Sequence, residues 1–180
     1  TGRGRYADDF SLPGQVYACL VRSPHAHAVI EGIDVARANG VPGVLAVLTG
    51  SDAAGDGLRP IPHGPVPTNP HEVPLRNRDG SDFFIAPHPV LAADAVRYVG
   101  EPVAVVVAET LTAAMDAAEL VDVDYRPLAA VARSRDALAA QAVPVWAECG
   151  SNLCIDSEAG DREGAEAAFA RAAHVVRLQT

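Results

Sequence analysis

The sequence predicts an α+β domain: a mixed sheet, a few packed helices and one long proline-rich loop. Three observations predict it. Short apolar runs of strand length recur between Gln15 and Pro127, two segments repeat small or apolar residues at helical spacing, and eight of the fourteen prolines crowd between Pro60 and Pro89. With 180 residues and 49% apolar content the chain can bury a sizeable core, so one domain, or one domain with an appendage, is expected.

The elements follow in order. "QVYACLVR", Gln15 to Arg22, is apolar at successive positions and reads as a buried strand entered from the Leu12-Pro13-Gly14 turn. "AVIEGID", Ala28 to Asp34, is a second strand, and "DVARANG" a short helix with Asp34 as N-cap and Asn39-Gly40 as its stop. "VLAVLTG" is a third strand. Between Gly55 and Pro89 lies a long loop whose "DFFIAP" is too apolar for a linker, so Phe83, Phe84 and Ile85 are expected to anchor it to its own core or to a partner. Val103 to Ala108 is apolar on both faces and is therefore the central strand, entered through a break at Gly100. "TLTAAMDAAELV" is a helix with Leu111, Ala114, Met115, Ala118 and Val121 on its core face, which makes Met115 core filler and not a ligand. A strand "VDVDYRP", a short helix around "SRDALAAQ", a last helix "REGAEAAFARAA" and a strand beginning at "HVVRLQT" complete the chain. It stops inside that strand without turn or tail, so further polypeptide is expected beyond Thr180.

Composition removes several function classes. A net charge of −9 disfavours nucleic acid and anionic membrane surfaces, which select cationic faces. No apolar run approaches the ~20 residues of a bilayer span, and "TGRGRYADDF" lacks a signal pattern, so a cytoplasmic protein is expected. All fourteen basic residues are Arg. Without Lys there is no Walker A loop, no pyridoxal Schiff base and no biotinyl or lipoyl attachment site. Three cysteines make a disulfide framework improbable in a chain of this size, and the C-x4-C of Cys149 and Cys154 lacks the further ligands an iron–sulfur cluster needs. "GRG" at Gly2 to Gly4 is not a dinucleotide fingerprint, since no strand precedes it. The acidic pairs Asp8-Asp9 and Asp122/Asp124 read as exposed turn and strand-edge carboxylates rather than a cation site.

One stretch invites a sharper reading. In "RSPHAHAVI" two imidazoles, His25 and His27, stand two residues apart, a spacing that in an extended chain puts both on one side. No Cys, Asp or Glu adjoins them to complete a tetrahedral set, so turn and interface packing is the better reading than metal. Arg22 beside them suits a specific polar contact, a guanidinium clamping a carbonyl or carboxylate of a neighbouring domain.

Five ordered motifs, "GRGRYADDFSLPGQVYACLVRSPHAHAVIEGID", "PGVLAVLTGSD", "VRYVGEPVAVVVAET", "DAAELVDVDYRPL" and "GDREGAEAAFARAAHVV", resemble the N-terminal α/β hammerhead domain of molybdenum hydroxylase large subunits. These are the xanthine dehydrogenase, aldehyde oxidase and carbon monoxide dehydrogenase family. The resemblance covers nearly the whole chain except the proline-rich loop. It implies one hammerhead domain over residues 1–180, with 55–89 as a loop insertion. It also implies a parent oxidoreductase that hydroxylates aldehydes or N-heterocycles, or oxidises carbon monoxide, at molybdopterin, often as the cytosine dinucleotide. [2Fe–2S] clusters and FAD would lie on other domains or subunits, and the partners would be the remaining molybdopterin domains and the iron–sulfur and FAD subunits. The family's catalytic and cofactor-binding residues fall beyond Thr180, so the resemblance assigns no catalytic, cofactor or metal residue here. The residues expected at an interface are Arg22, His25 and His27 in the early hairpin, Phe83 and Phe84 in the loop, and Gly100 and Glu101 before the central strand. A free-standing binding or scaffold protein of the same fold is the alternative, and the reading frame beyond codon 180 discriminates the two.

Overall fold

A computed structural model describes residues 2–6, 9–63 and 76–178. The chain forms two compact units, one of Thr1–His63 with Ala86–Asn152, the other of Gly64–Ile85 with Leu153–Thr180.

The first unit is α+β, and its described residues hold six strands: β1 (Tyr17–Arg22), β2 (Ala28–Asp34), β3 (Val44–Thr49), β4 (Ala95–Val96), β5 (Pro102–Ala108) and β6 (Asp122–Pro127). They make two three-stranded sheets of order β1-β5-β3 and β4-β2-β6. Every pairing is antiparallel, so two antiparallel sheets stand where one mixed sheet was expected. The central position of β5 is as the sequence predicts: Val103, Ala104, Val106 and Ala108 are fully buried. β1 differs from expectation. It is an edge strand with alternating exposure, and Leu20 stays 41% exposed, because only one of its faces meets the helices.

Helices α1 (Ala36–Asn39), α2 (Gly50–Gly55) and α3 (Leu111–Ala118) complete this unit. Val35 takes the N-cap position of α1, and the Asp34 carboxylate accepts the Ala36 N–H at 2.9 Å. α2 was not read from the sequence, although Thr49-x-x-Asp52 is a capping box: the Thr49 hydroxyl accepts the Asp52 N–H and the Asp52 carboxylate accepts the Thr49 N–H. On α3 the expected core face is rotated. Ala114 and Ala117 are fully buried, Ala117 against Ala38, Val47 and Val106, while Met115 is 52% and Leu111 51% exposed. Two alanines let the helix lie close on the sheet, and the longer side chains fall to the rim; Met115 is therefore not core filler. A second cluster, Ala28, Ala92, Val96 and Val103, joins the two sheets. In place of the expected helix around Ser134 there is a single 3-10 turn, Ser134–Asp136, with no side-chain cap and no buried residue to hold more.

In the second unit, α4 (Arg162–Arg171) forms as predicted, with Asp161 accepting the Gly164 N–H, yet it buries none of its residues. The expected strand after it is absent among residues 173–178. Arg78 grips Asp156 through two parallel bonds of 2.9 Å, and the Phe84 N–H donates to the Cys154 carbonyl at 3.1 Å. Of the expected loop, residues 56–63 and 76–89 carry neither helix nor strand, and 64–75 lie outside the described residues.

Candidate interface site

Two irregular segments meet where β1 ends and β5 begins. The Ser23 N–H donates to the Glu101 carbonyl at 3.0 Å and the Gly100 N–H to the Ser23 carbonyl at 2.8 Å, a reciprocal backbone clasp. Residues 98–101 form a turn closed by the Glu101 N–H on the Tyr98 carbonyl at 3.2 Å. Gly100 occupies its third position with φ +89°, the left-handed conformation such a turn demands there. Arg22 completes the arrangement, its Nη1 donating to the Gly100 carbonyl at 2.8 Å. The carbonyl that Arg22 holds therefore belongs to its own unit.

Glu101 is buried, 4% exposed, and its carboxylate accepts the Arg97 N–H. Burial raises its pKa above the ordinary glutamate range, against the lowering effects of the Arg97 N–H and guanidinium. Arg97 is itself enclosed. Its guanidinium stacks over the Trp146 ring at 3.8 Å, donates to the Ala95 carbonyl at 3.0 Å and pairs with the Asp94 carboxylate at 3.4 Å. Its Nε is buried with no hydrogen-bond partner among the described residues. Neither Arg97 nor Trp146 was singled out in the sequence, since they are 49 positions apart and belong to no shared motif.

The two histidines do not lie on an extended strand. Residues 24–27 bend, and each imidazole serves a different neighbour. The half-buried His25 ring tilts against Tyr125 at 4.9 Å, and its backbone N–H donates to the Ser23 hydroxyl at 3.0 Å. His27, 8% exposed, donates from Nδ1 to the Ala129 carbonyl at 3.1 Å, while its own carbonyl accepts the Leu128 N–H at 2.9 Å. The Tyr125 hydroxyl is buried without a hydrogen bond among the described residues; burial raises its pKa, offset in part by the Ser23 hydroxyl nearby.

Arg22, His25, His27, Gly100 and Glu101 thus all belong to the first unit, whereas the half-buried Phe83 and Phe84 belong to the second. Among the described residues no three His, Cys, Asp or Glu side chains come together as metal ligands would. Cys19, Cys149 and Cys154 are each half-buried. Asp122 and Asp124 lie on the exposed side of β6, and the Asp9 carboxylate accepts the Tyr6 N–H at 2.8 Å; Asp8 lies outside the described residues. No described helix is long and apolar enough to cross a membrane.

The fold has counterparts among known proteins. The family model for the aldehyde oxidase and xanthine dehydrogenase a/b hammerhead domain matches residues 1–69 and 66–129. The nicotine 6-hydroxylase large subunit of Paenarthrobacter nicotinovorans is 39% identical over 98% of this chain and 20% of its own length. The carbon monoxide dehydrogenase large chain of Afipia carboxidovorans is 37% identical over 95% of this chain, again 20% of its own length. A crystal structure of the Cu,Mo-CO dehydrogenase in its carbon monoxide reduced state superposes with a TM-score of 0.70 at 33% identity, covering 96% of this chain and 21% of that one. Quinoline 2-oxidoreductase from Pseudomonas putida 86 gives a TM-score of 0.64 at 41% identity over 78% of this chain and 16% of that one. The chain spans about a fifth of the length of the curated relatives it matches. By these matches the chain belongs to the aldehyde oxidase and xanthine dehydrogenase a/b hammerhead domain family.

Proposed function

We propose that this chain works as the N-terminal structural domain of a molybdenum-dependent hydroxylase large subunit in a bacterial cytoplasm. In this reading residues 1–180 act as one hammerhead domain with 55–89 inserted, packed against molybdopterin-binding domains and served by iron–sulfur and FAD subunits. One observation carries it: 95–98% of the chain matches a single fifth of large subunits that are named as hydroxylase and dehydrogenase chains. The polar groups support the same assignment. Arg22 and His27 are spent on backbone carbonyls of their own unit and Glu101 on a backbone N–H, which is work of architecture.

The described residues do not fit a pterin. The buried polar side chains Ser23, His27 and Glu101 are committed to the chain itself, and the cavity beside α2 is lined mainly by aliphatic residues such as Ala53, Leu58, Val90 and Leu91. The parent activity would be oxygen insertion into a C–H bond of an aldehyde or N-heterocycle, or oxidation of carbon monoxide.

The reading is tested by the gene and by metal analysis. A reading frame continuing for several hundred codons past 180, beside an iron–sulfur protein gene, is expected. Protein expressed from it with full cofactor supply should carry molybdenum and reduce a dye with substrate, and the 180-residue chain should do neither. A stop codon after 180, or stoichiometric molybdenum in the short chain, defeats the proposal and leaves a free-standing binding protein or a misplaced active site.

A further inference from the structure

The sheet β1-β5-β3 has a second face that no described helix covers. Strand alternation places Val106 and Val47 on the helix side, so Val105 and Val107 point the other way, and the pairing register sets beside them Ala18 and Leu20 of β1 and Ala46 and Leu48 of β3. All six are apolar. Leu20 and Leu48 are each 41% exposed, and Val105 and Val107 remain half-exposed on what is otherwise the central strand. At one end, by the same alternation, this face carries Val103, which is closed over by Ala28, Ala92 and Val96 of the other sheet region. The core thus runs out onto an open apolar shelf.

Resting on the reading that this chain is one domain of a longer large subunit, we propose that the shelf seats an apolar, uncharged surface from the remainder of that same polypeptide. Three arguments select this occupant. The chain carries a net charge of −9, yet the shelf has no charged residue, while the exposed positions of the other sheet include Glu31, Asp122, Asp124 and Arg126. A charged partner would find its complement there and not here. Three strands ~4.8 Å apart and about four residues of length give the shelf on the order of 200 Å², far below the ~800 Å² per partner of a stable association between separate molecules. So small a contact holds only where covalent linkage supplies a high effective concentration, which a second copy would lack. The length of chain needed is at hand in the relatives, of which this domain is 20%.

Thiol labelling tests it. Ala46→Cys and, as a second variant, Leu48→Cys are placed on the shelf, with Asp124→Cys on the exposed side of β6 as a control. Each is made in the 180-residue chain and in the assembled large subunit, and maleimide uptake is mapped by peptide mass to separate it from Cys19, Cys149 and Cys154. The shelf thiols should label fast in the short chain and about tenfold or more slower in the large subunit, the control fast in both. Equal labelling in both forms, in a large subunit that carries molybdenum, overturns the shelf proposal and leaves the functional reading standing. Slow labelling in the short chain overturns it too, in favour of a second copy if dilution restores the rate and of self-coverage if it does not. A gene that ends at codon 180 removes the functional reading and the proposal together.

Discussion

Gly50→Ala is the sharpest probe of how the first unit is assembled. A Cβ at Gly50 would stand 2.4 Å from the Ala92 oxygen, 2.6 Å from its carbonyl carbon and 2.8 Å from the Ala93 Cα. All three are backbone atoms, and reaching ordinary contact at 3.4 Å requires the chain to move by about 1 Å. That segment is not free to move. Ala92 is buried in the cluster with Ala28, Val96 and Val103, and its N–H donates to the Pro102 carbonyl at 2.8 Å. Overpacking of this kind costs about 1–3 kcal/mol, and straining a buried hydrogen bond adds about 1–3 kcal/mol. Ala in place of Gly within α2 returns about 1 kcal/mol of helix propensity. The strain wins, leaving a net loss of roughly 1–5 kcal/mol, or roughly 2–20 °C in Tm for a chain of this size. Gly55→Ala, whose Cβ meets nothing within 4 Å, is the control and should leave the melt unchanged or slightly raised. Thermal denaturation followed by circular dichroism reads both. Equal melting temperatures for Gly50→Ala and Gly55→Ala would refute the close approach of α2 to the Ala92 backbone.

Two further substitutions act on the clasp between β1 and β5. Gly100→Ala meets no atom within 4 Å, so its cost comes from φ +89° alone, about 1–2 kcal/mol in denaturant unfolding; an unchanged midpoint would contradict the left-handed turn. Glu101→Gln tests the buried carboxylate. A Glu pKa raised by folding means the native state holds the proton longer, so wild-type stability declines as pH rises from the ordinary value of 4.5 through the raised folded value and is flat above it. The Gln variant keeps the acceptor for the Arg97 N–H and should lack that decline. Asp52 and Asp79, lowered by hydrogen bonds from Thr49 and Ser81, give the opposite slope below 3.8 in both proteins, so the difference between the two curves isolates Glu101. Parallel curves above pH 4.5 would show that Glu101 is not buried as described.

Periodicity read well wherever a segment meets its surroundings on a face that its own pattern dictates. β5 is apolar at every position and takes the central place such a strand predicts, paired on both edges, with Val103, Ala104, Val106 and Ala108 buried and Val105 and Val107 left half-exposed. β1 is nearly as apolar, yet it lies at an edge, because a run of apolar residues does not say how many neighbours a strand has. α3 shows a related limit: five apolar residues fit one helical face, but the sheet selects the adjacent face of small alanines that allows close approach. The strand expected after α4 needs a partner strand, and pairing is a property of two segments, of which the sequence shows one. Arg22 was legible as a residue that would clamp a carbonyl, while the identity of that carbonyl, 78 positions away at Gly100, depends on the antiparallel register of β1 on β5.

The stretch from Ser23 to His27 looks like a site in the sequence for the same reason that it is structural in the fold. Here the chain leaves β1, bends at residues 24–27 and enters β2, and beyond the Ser23 clasp and the His27 carbonyl its backbone groups have no ladder to satisfy them. A short segment in that position needs polar side chains at close spacing: Ser23 receives the His25 N–H, and His27 reaches across to the Ala129 carbonyl. Glu101 does the equivalent on the β5 side by receiving the Arg97 N–H. Buried polar groups at unusual spacing are what a catalytic or metal site also displays, and composition alone does not separate the two. What separates them is where each side chain bonds: Ser23, His27 and Glu101 turn inward to the chain's own backbone, and the apolar shelf of Ala18, Leu20, Val105, Val107, Ala46 and Leu48 is left open on the other face of the sheet.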